Sequence, residues 1–199
     1  MTAPRPVLRA WLLVLLLLGA ACAAPAAEPA PEAPQPAPAP AQPPSAVLSP
    51  RDTARAEIAG ARILVDYGRP SMRGRTIMGE LVPFGRVWRT GANAATTLVT
   101  EAELEIGGEQ LPRGTYTLYT LPSADQWLLI INRQTGQWGT EYDQSQDLAR
   151  IPMQRSELPR DVEQFTISVE PVGEDRGTLV MAWERTQVQL PFRVRGTAR

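Results

Sequence analysis

The sequence predicts an all-β domain: an antiparallel β-sandwich, jelly-roll or immunoglobulin-like, of about nine strands with one long ordered loop. Three observations predict it. Several segments alternate apolar and polar residues with a period of two. Glycine- and proline-bearing turns punctuate them at regular spacing, and no stretch carries the three-to-four-residue apolar rhythm of an amphipathic helix.

In chain order, Thr53–Ile58 and Arg62–Tyr67 read as a hairpin around Ala59-Gly60, with Ile63, Val65 and Tyr67 on one face. Leu98, Thr100, Ala102, Leu104 and Ile106 alternate with Val99, Glu101, Glu103 and Glu105, one strand with an acidic face. Gly107-Gly108 supplies the positive φ values of a two-residue hairpin turn. Leu111–Gly114 turns again into the strand Thr115–Leu121, and Trp127–Ile131 is apolar throughout, as befits a central strand. Asp147–Met153 reads as a short edge strand, where Pro152 is tolerated. The last three strands centre on Phe165–Val169, Leu179–Trp183 and Val188–Val194. Tyr116, opening a strand, reads as architecture, its ring packed and its hydroxyl bonded back to the turn. Trp127 and Trp183 read as core.

The domain occupies residues 51–199. Residues 1–22 form an export signal: Arg5 and Arg9, an apolar run from Ala10 to Ala21, then small residues. Leu18-Gly19-Ala20-Ala21-Cys22 resembles the bacterial lipoprotein box, departing from it at Gly19, so Cys22 is the expected lipid attachment. Ordinary cleavage at a neighbouring Ala-x-Ala site is the alternative. Residues 23–50 are dominated by alanine and proline, an extended linker reaching roughly 80 Å at about 3.1 Å per residue. The expected location is therefore outside the cytoplasm, in the periplasm or cell envelope, with the domain held to a membrane through its lipid anchor.

Composition removes whole classes of chemistry. All 20 basic residues are arginine, with no lysine and no histidine, and Cys22 is the only cysteine. That excludes histidine-based triads, imidazole metal sites, Schiff bases and a cysteine nucleophile in the domain. A net charge of −1 without runs of like charge argues against a nucleic-acid partner. No loop carries the alternating Asp/Asn pattern of a calcium site, so no metal and no cofactor are expected.

The unusual residues gather in Asp66–Thr97. A connection this long is functional or disordered, and Ile77, Leu81, Val82, Phe84, Val87 and Trp88 are apolar enough to order it, with one helical turn, over an open end of the sandwich. Arg69, Arg73, Arg75, Arg86 and Arg89 outnumber the nearby acids Asp66 and Glu80. Guanidinium forks suit carboxylate, phosphate or sulfate groups. The expected ligand-binding residues are Arg69, Arg75, Trp88, Arg89, Asn93 and, from a polar glycine-flanked segment, Trp138. The plainer reading is that Arg75 or Arg89 pairs with Asp66 or Glu80 and pins the loop.

Asp66-Tyr67-Gly68-Arg69-Pro70-Ser71, Leu81-Val82-Pro83-Phe84-Gly85 and Val87-Trp88-Arg89-Thr90-Gly91-Ala92-Asn93 resemble the bacterial domain of unknown function 2911 family. Leu111-Pro112-x-Gly114-Thr115-Tyr116 and Gln137-Trp138-Gly139 extend the likeness over nearly all of 48–195. The resemblance implies an exported bacterial protein, often a lipoprotein, with no established activity. Ala94 stands where the family commonly has an acidic residue.

Three functions follow, in this order. The first is non-catalytic binding of a small or glycan-like anionic ligand. The second is a purely structural or partner-binding envelope lipoprotein. The third is a carboxylate-only hydrolase drawing on Asp66, Glu80, Glu141 or Asp143.

Overall fold

Nine antiparallel strands pair in the order β1-β2-β3-β6-β7-β8-β9-β4-β5. They are β1 (Arg51–Ile58), β2 (Ala61–Gly68), β3 (Thr96–Thr100), β4 (Glu103–Ile106), β5 (Glu109–Leu111), β6 (Gly114–Leu121), β7 (Trp127–Asn132), β8 (Asp147–Val172) and β9 (Arg176–Arg195). This computed structural model describes residues 49–196. The export signal, Cys22 and the Ala/Pro-rich linker up to residue 48 lie outside the described residues. Among the described residues the only helical element is a 3₁₀ turn, Gln144–Gln146, capped by the Asp143 side chain. The all-β, antiparallel expectation therefore holds, as one continuous hydrogen-bonded sheet.

The first hairpin forms in the expected register, Ile58 opposite Ala61, with both turn residues at positive φ (Ala59 52°, Gly60 75°). Gly107 and Gly108 adopt 60° and 86° and close β4 onto β5.

Three long-range features were not visible in the alternation. The strand expected from Leu98 to Ile106 is two strands. Thr100 Oγ1 donates to the Ala102 carbonyl (2.7 Å) and accepts from its amide (3.3 Å), breaking the ladder at Glu101-Ala102. β3 pairs with β2 and β6, whereas β4 pairs with β9 and β5. The expected Asp147–Met153 and Phe165–Val169 strands belong to the single β8, which pairs with β7 through Met153 and with β9 from Gln154 onward. Pro152 thus sits where β8 has a partner on one side. The Leu179–Trp183 and Val188–Val194 strands merge into β9, which leaves β8 after Gln189 and joins β4 at Phe192, with Pro191 at the handover.

Strands that are not neighbours in the sheet also meet: β2 comes against β8. The Tyr67 hydroxyl of β2 donates to the Ile167 carbonyl of β8 (3.4 Å) and accepts its amide (3.0 Å). One apolar cluster draws on β2, β3, β6, β7, β8 and β9 together. Its aromatic part is Tyr67 edge-on to Phe165 (5.7 Å), and Trp88 in contact with Phe165 (5.0 Å), Trp127 (6.3 Å) and Trp183 (5.9 Å).

Tyr116 donates to the Pro112 carbonyl (2.8 Å) with its ring buried, the architectural role expected of it.

Candidate functional site

Between β2 and β3 the chain leaves the sheet and returns, and its two ends cross at Gly68. A side chain there would collide with the Ala92 carbonyl oxygen, so this position admits only glycine. The loop is ordered along its length by bonds to the sheet. The Met72 amide donates to the Glu163 carbonyl (2.8 Å) and the Arg73 amide to the Glu163 carboxylate (2.9 Å). The Ile77 and Met78 amides both donate to the Glu184 carboxylate (3.1 Å each). Trp88 exchanges two main-chain bonds with Thr120 (2.7 and 2.9 Å), and the Asn93 carbonyl accepts the Gly139 amide (3.0 Å). In place of the expected helical turn, Val82 N–H closes back on the Ile77 carbonyl (2.9 Å).

Glu184 reaches the loop because β8 and β9 lose register beside it. β8 carries extra residues between Glu157 and Val162 and again between Val162 and Thr166, while Glu184 itself has φ 52°. Such irregularities re-aim side chains next to sites. The braces are acids of β8 and β9 acting on loop amides, rather than an arginine–acid pair within the loop.

Under the loop lies an open cleft of about 330 Å³ walled by Arg75, Leu81, Trp88, Arg89, Asn93 and Trp183. Four of the six expected binding residues (Arg75, Trp88, Arg89 and Asn93) therefore meet in one place. Arg75 is exposed, its Nε and Nη2 held by the carbonyls of Met72 (2.9 Å) and Ser71 (2.8 Å). Arg89 Nε donates to the Gly91 carbonyl (3.3 Å). Among the described residues neither guanidinium is in an ion pair. Asn93, at φ 64°, donates from Nδ2 to the Ser49 carbonyl (3.3 Å), which fixes its amide at the cleft wall. Trp88 is half-buried: it forms cleft wall and core at once.

Two expected residues do not line the cleft. Arg69 places Nε on the Phe165 carbonyl (3.2 Å), Nη2 on Thr166 Oγ1 (3.0 Å) and Nη1 against Asp52 (3.2 Å), so its fork is occupied in bracing β8. Trp138 is 51% exposed and pairs by its main chain with Ala94; its contribution is to set Gly139 against Arg89.

The acids take other partners. Asp66 is ion-paired with Arg51 and accepts from Thr53. Asp143 accepts from the Ser145 amide and hydroxyl, which hold its carboxyl below the usual range. Neither these nor Glu80 and Glu141 line the cleft, so no carboxylate pair faces a bound molecule there. Among the described residues no group of three or more potential ligands could hold a metal.

Sequence reasoning missed Glu163, Glu184 and Gly139. The two acids carry no local signal, because their loop partners lie far away in the chain. Gly139 was visible only as part of the Gln137-Trp138-Gly139 string.

Fold and site define an all-β domain with an open cleft, walled mostly by the β2–β3 loop, whose lining holds two guanidinium groups and no acid. The chain belongs to the family described as protein of unknown function DUF2911, whose family model matches residues 49–192. No curated protein and no solved structure matches the chain.

Proposed function

We propose that this domain is a non-catalytic binding module, and that its cleft takes a small or glycan-like anionic ligand. The observation that carries this reading is the charge balance of the wall. Arg75 and Arg89 share a hollow with Trp88, Trp183 and Asn93, no acid lines it, and Asp66, Glu163 and Glu184 are engaged elsewhere. An oxyanion entering there meets guanidinium donors in a partly desolvated setting, where charge-assisted bonds are strongest. The two indoles offer an apolar face, and the Asn93 amide gives orientation.

The purely structural reading draws on Arg69, whose donors are all engaged within the fold, and on the Trp88–Trp183 stack, which packs the core as well as walling the cleft. One experiment separates the two. Retention of anionic metabolites and envelope glycans by wild type, lost in a folded Arg89→Ala variant, supports binding. No retention by wild type supports the structural role.

The same proposal places the domain in the cell envelope, tethered through acylated Cys22 by the Ala/Pro-rich linker. Its support is the Arg-flanked apolar run and the small residues before Cys22. An intact mass for the mature protein beginning at lipid-modified Cys22 bears it out; an unmodified chain beginning elsewhere overturns it.

A further inference from the structure

Trp88 and Arg89 wall a second hollow besides the cleft, of about 180 Å³, completed chiefly by Tyr119, Gly139, Thr140 and Tyr142. The rings of Tyr119 and Tyr142 stand 4.9 Å apart and 66° from parallel. Their hydroxyls are already committed. Tyr119 donates to the Glu141 carbonyl (3.0 Å) and accepts from Gln137 (3.1 Å). Tyr142 donates to Asp147 (2.6 Å) and accepts from Arg150 (2.7 Å). Tyr119 is only 1% exposed and forms the floor, so the hollow offers the half-buried ring of Tyr142, the exposed Thr140 hydroxyl and the Arg89 side chain, with no carboxylate in its wall.

From this we infer that the ligand is an acidic oligosaccharide of at least two units; the inference rests on the anion-binding reading above. A charged unit sits against Arg75 and Arg89 in the cleft, and its neighbour sits in the tyrosine hollow, with Trp88-Arg89 beside the linkage. A puckered sugar ring presents C–H bonds to aromatic carbon and hydroxyls to Thr140 and Arg89. A flat nucleobase fits less well, because Tyr119 and Tyr142 pack edge-on against each other and leave no slot between two ring faces. An added peptide strand is disfavoured because the main-chain N–H and C=O of Trp88 are both taken by Thr120.

The test is calorimetric titration of the folded domain with galacturonic acid, digalacturonic acid, inorganic phosphate and adenosine monophosphate. The dimer is expected to bind about tenfold more tightly than the monomer, the gain of one aromatic-walled contact. Thr140→Trp fills the hollow from an exposed position, so in that variant the dimer's advantage over the monomer is lost. Equal affinities for monomer and dimer, a gain that survives in Thr140→Trp, or preference for adenosine monophosphate each overturn the inference. If the monomer or phosphate still binds through Arg89 in those cases, the cleft reading survives alone. If wild type retains no anion, both fall.

Discussion

Gly139 packs against the stem of Arg89: a Cβ on that glycine would lie 2.7 Å from Arg89 Cδ and equally close to the Asn93 carbonyl oxygen. The 133–146 segment and the β2–β3 loop thus fit together over one arginine, and the glycine sets where its guanidinium points. Gly139→Ala is expected to displace Arg89 or part the two segments. The overpacking costs about 1–3 kcal/mol, and anion affinity falls with the fold retained. Denaturant unfolding beside ligand titration checks this; unchanged affinity means that Arg89 is not positioned by this contact.

Glu184 holds the loop to β9 by accepting two amides on its carboxylate. Glu184→Ala leaves both without that acceptor at a part-buried site, a loss of about 1–3 kcal/mol per stranded donor before water intervenes. Hydrogen exchange should then quicken at Ile77 and Met78, while the core strands β6 and β7 stay protected at the fully buried Leu118 and Leu129. Unaltered exchange at those two loop amides contradicts the brace.

Ala59 sits at φ 52° in an exposed two-residue turn before Gly60. A side chain that tolerates this region relieves the strain, and Asn-Gly is the preferred pair for such turns. Ala59→Asn should stabilise the domain by about 0.5–1 kcal/mol, read as a higher denaturant midpoint at unchanged slope. A lower midpoint would refute the assigned turn.

All four tyrosines titrate late. Burial is the first cause at Tyr67, Tyr116 and Tyr119, and at Tyr142 burial followed by the Asp147 carboxylate pushes the phenol up to about 12. The folded chain therefore keeps protons that the unfolded chain releases near 10, and stability falls as pH rises from there toward 12. Below 10 this contribution is fully present. Phenolate absorbance of the native protein should lag behind that of the unfolded chain and rise with alkaline unfolding. Half-ionised tyrosines at pH 10 with the fold intact would contradict these environments.

Local alternation carried the strands because it reports burial, which is set residue by residue. It could not report partners. Thr100, Ala102 and Leu104 keep the buried parity straight through the break between β3 and β4, so nothing in the period marks the change of neighbours. Likewise β8 keeps an extended backbone while passing from β7 to β9. The site was legible where composition was unusual: Arg75, Trp88, Arg89 and Asn93 share a cleft. Arg69 looked the same in sequence, yet Asp52, Phe165 and Thr166 occupy its donors, and two of those partners arrive from β8. Residue type shows what a side chain can bind; only the topology decides whether the protein binds it first.

That contrast supplies the most direct test of the account, which is that two arginines alike in sequence differ in what they are free to meet. Arg69→Ala and Arg89→Ala are titrated with the same anionic ligand, with stability measured alongside. Arg69→Ala should lower stability by about 1–3 kcal/mol through its lost charged hydrogen bonds and leave affinity near wild type. Arg89→Ala should remain folded, at a modest cost in stability for the lost packing against Gly139, and lose at least about tenfold in affinity, the worth of one charge-assisted bond. Equal affinity in wild type and Arg89→Ala would contradict the claim that the cleft is built around that guanidinium.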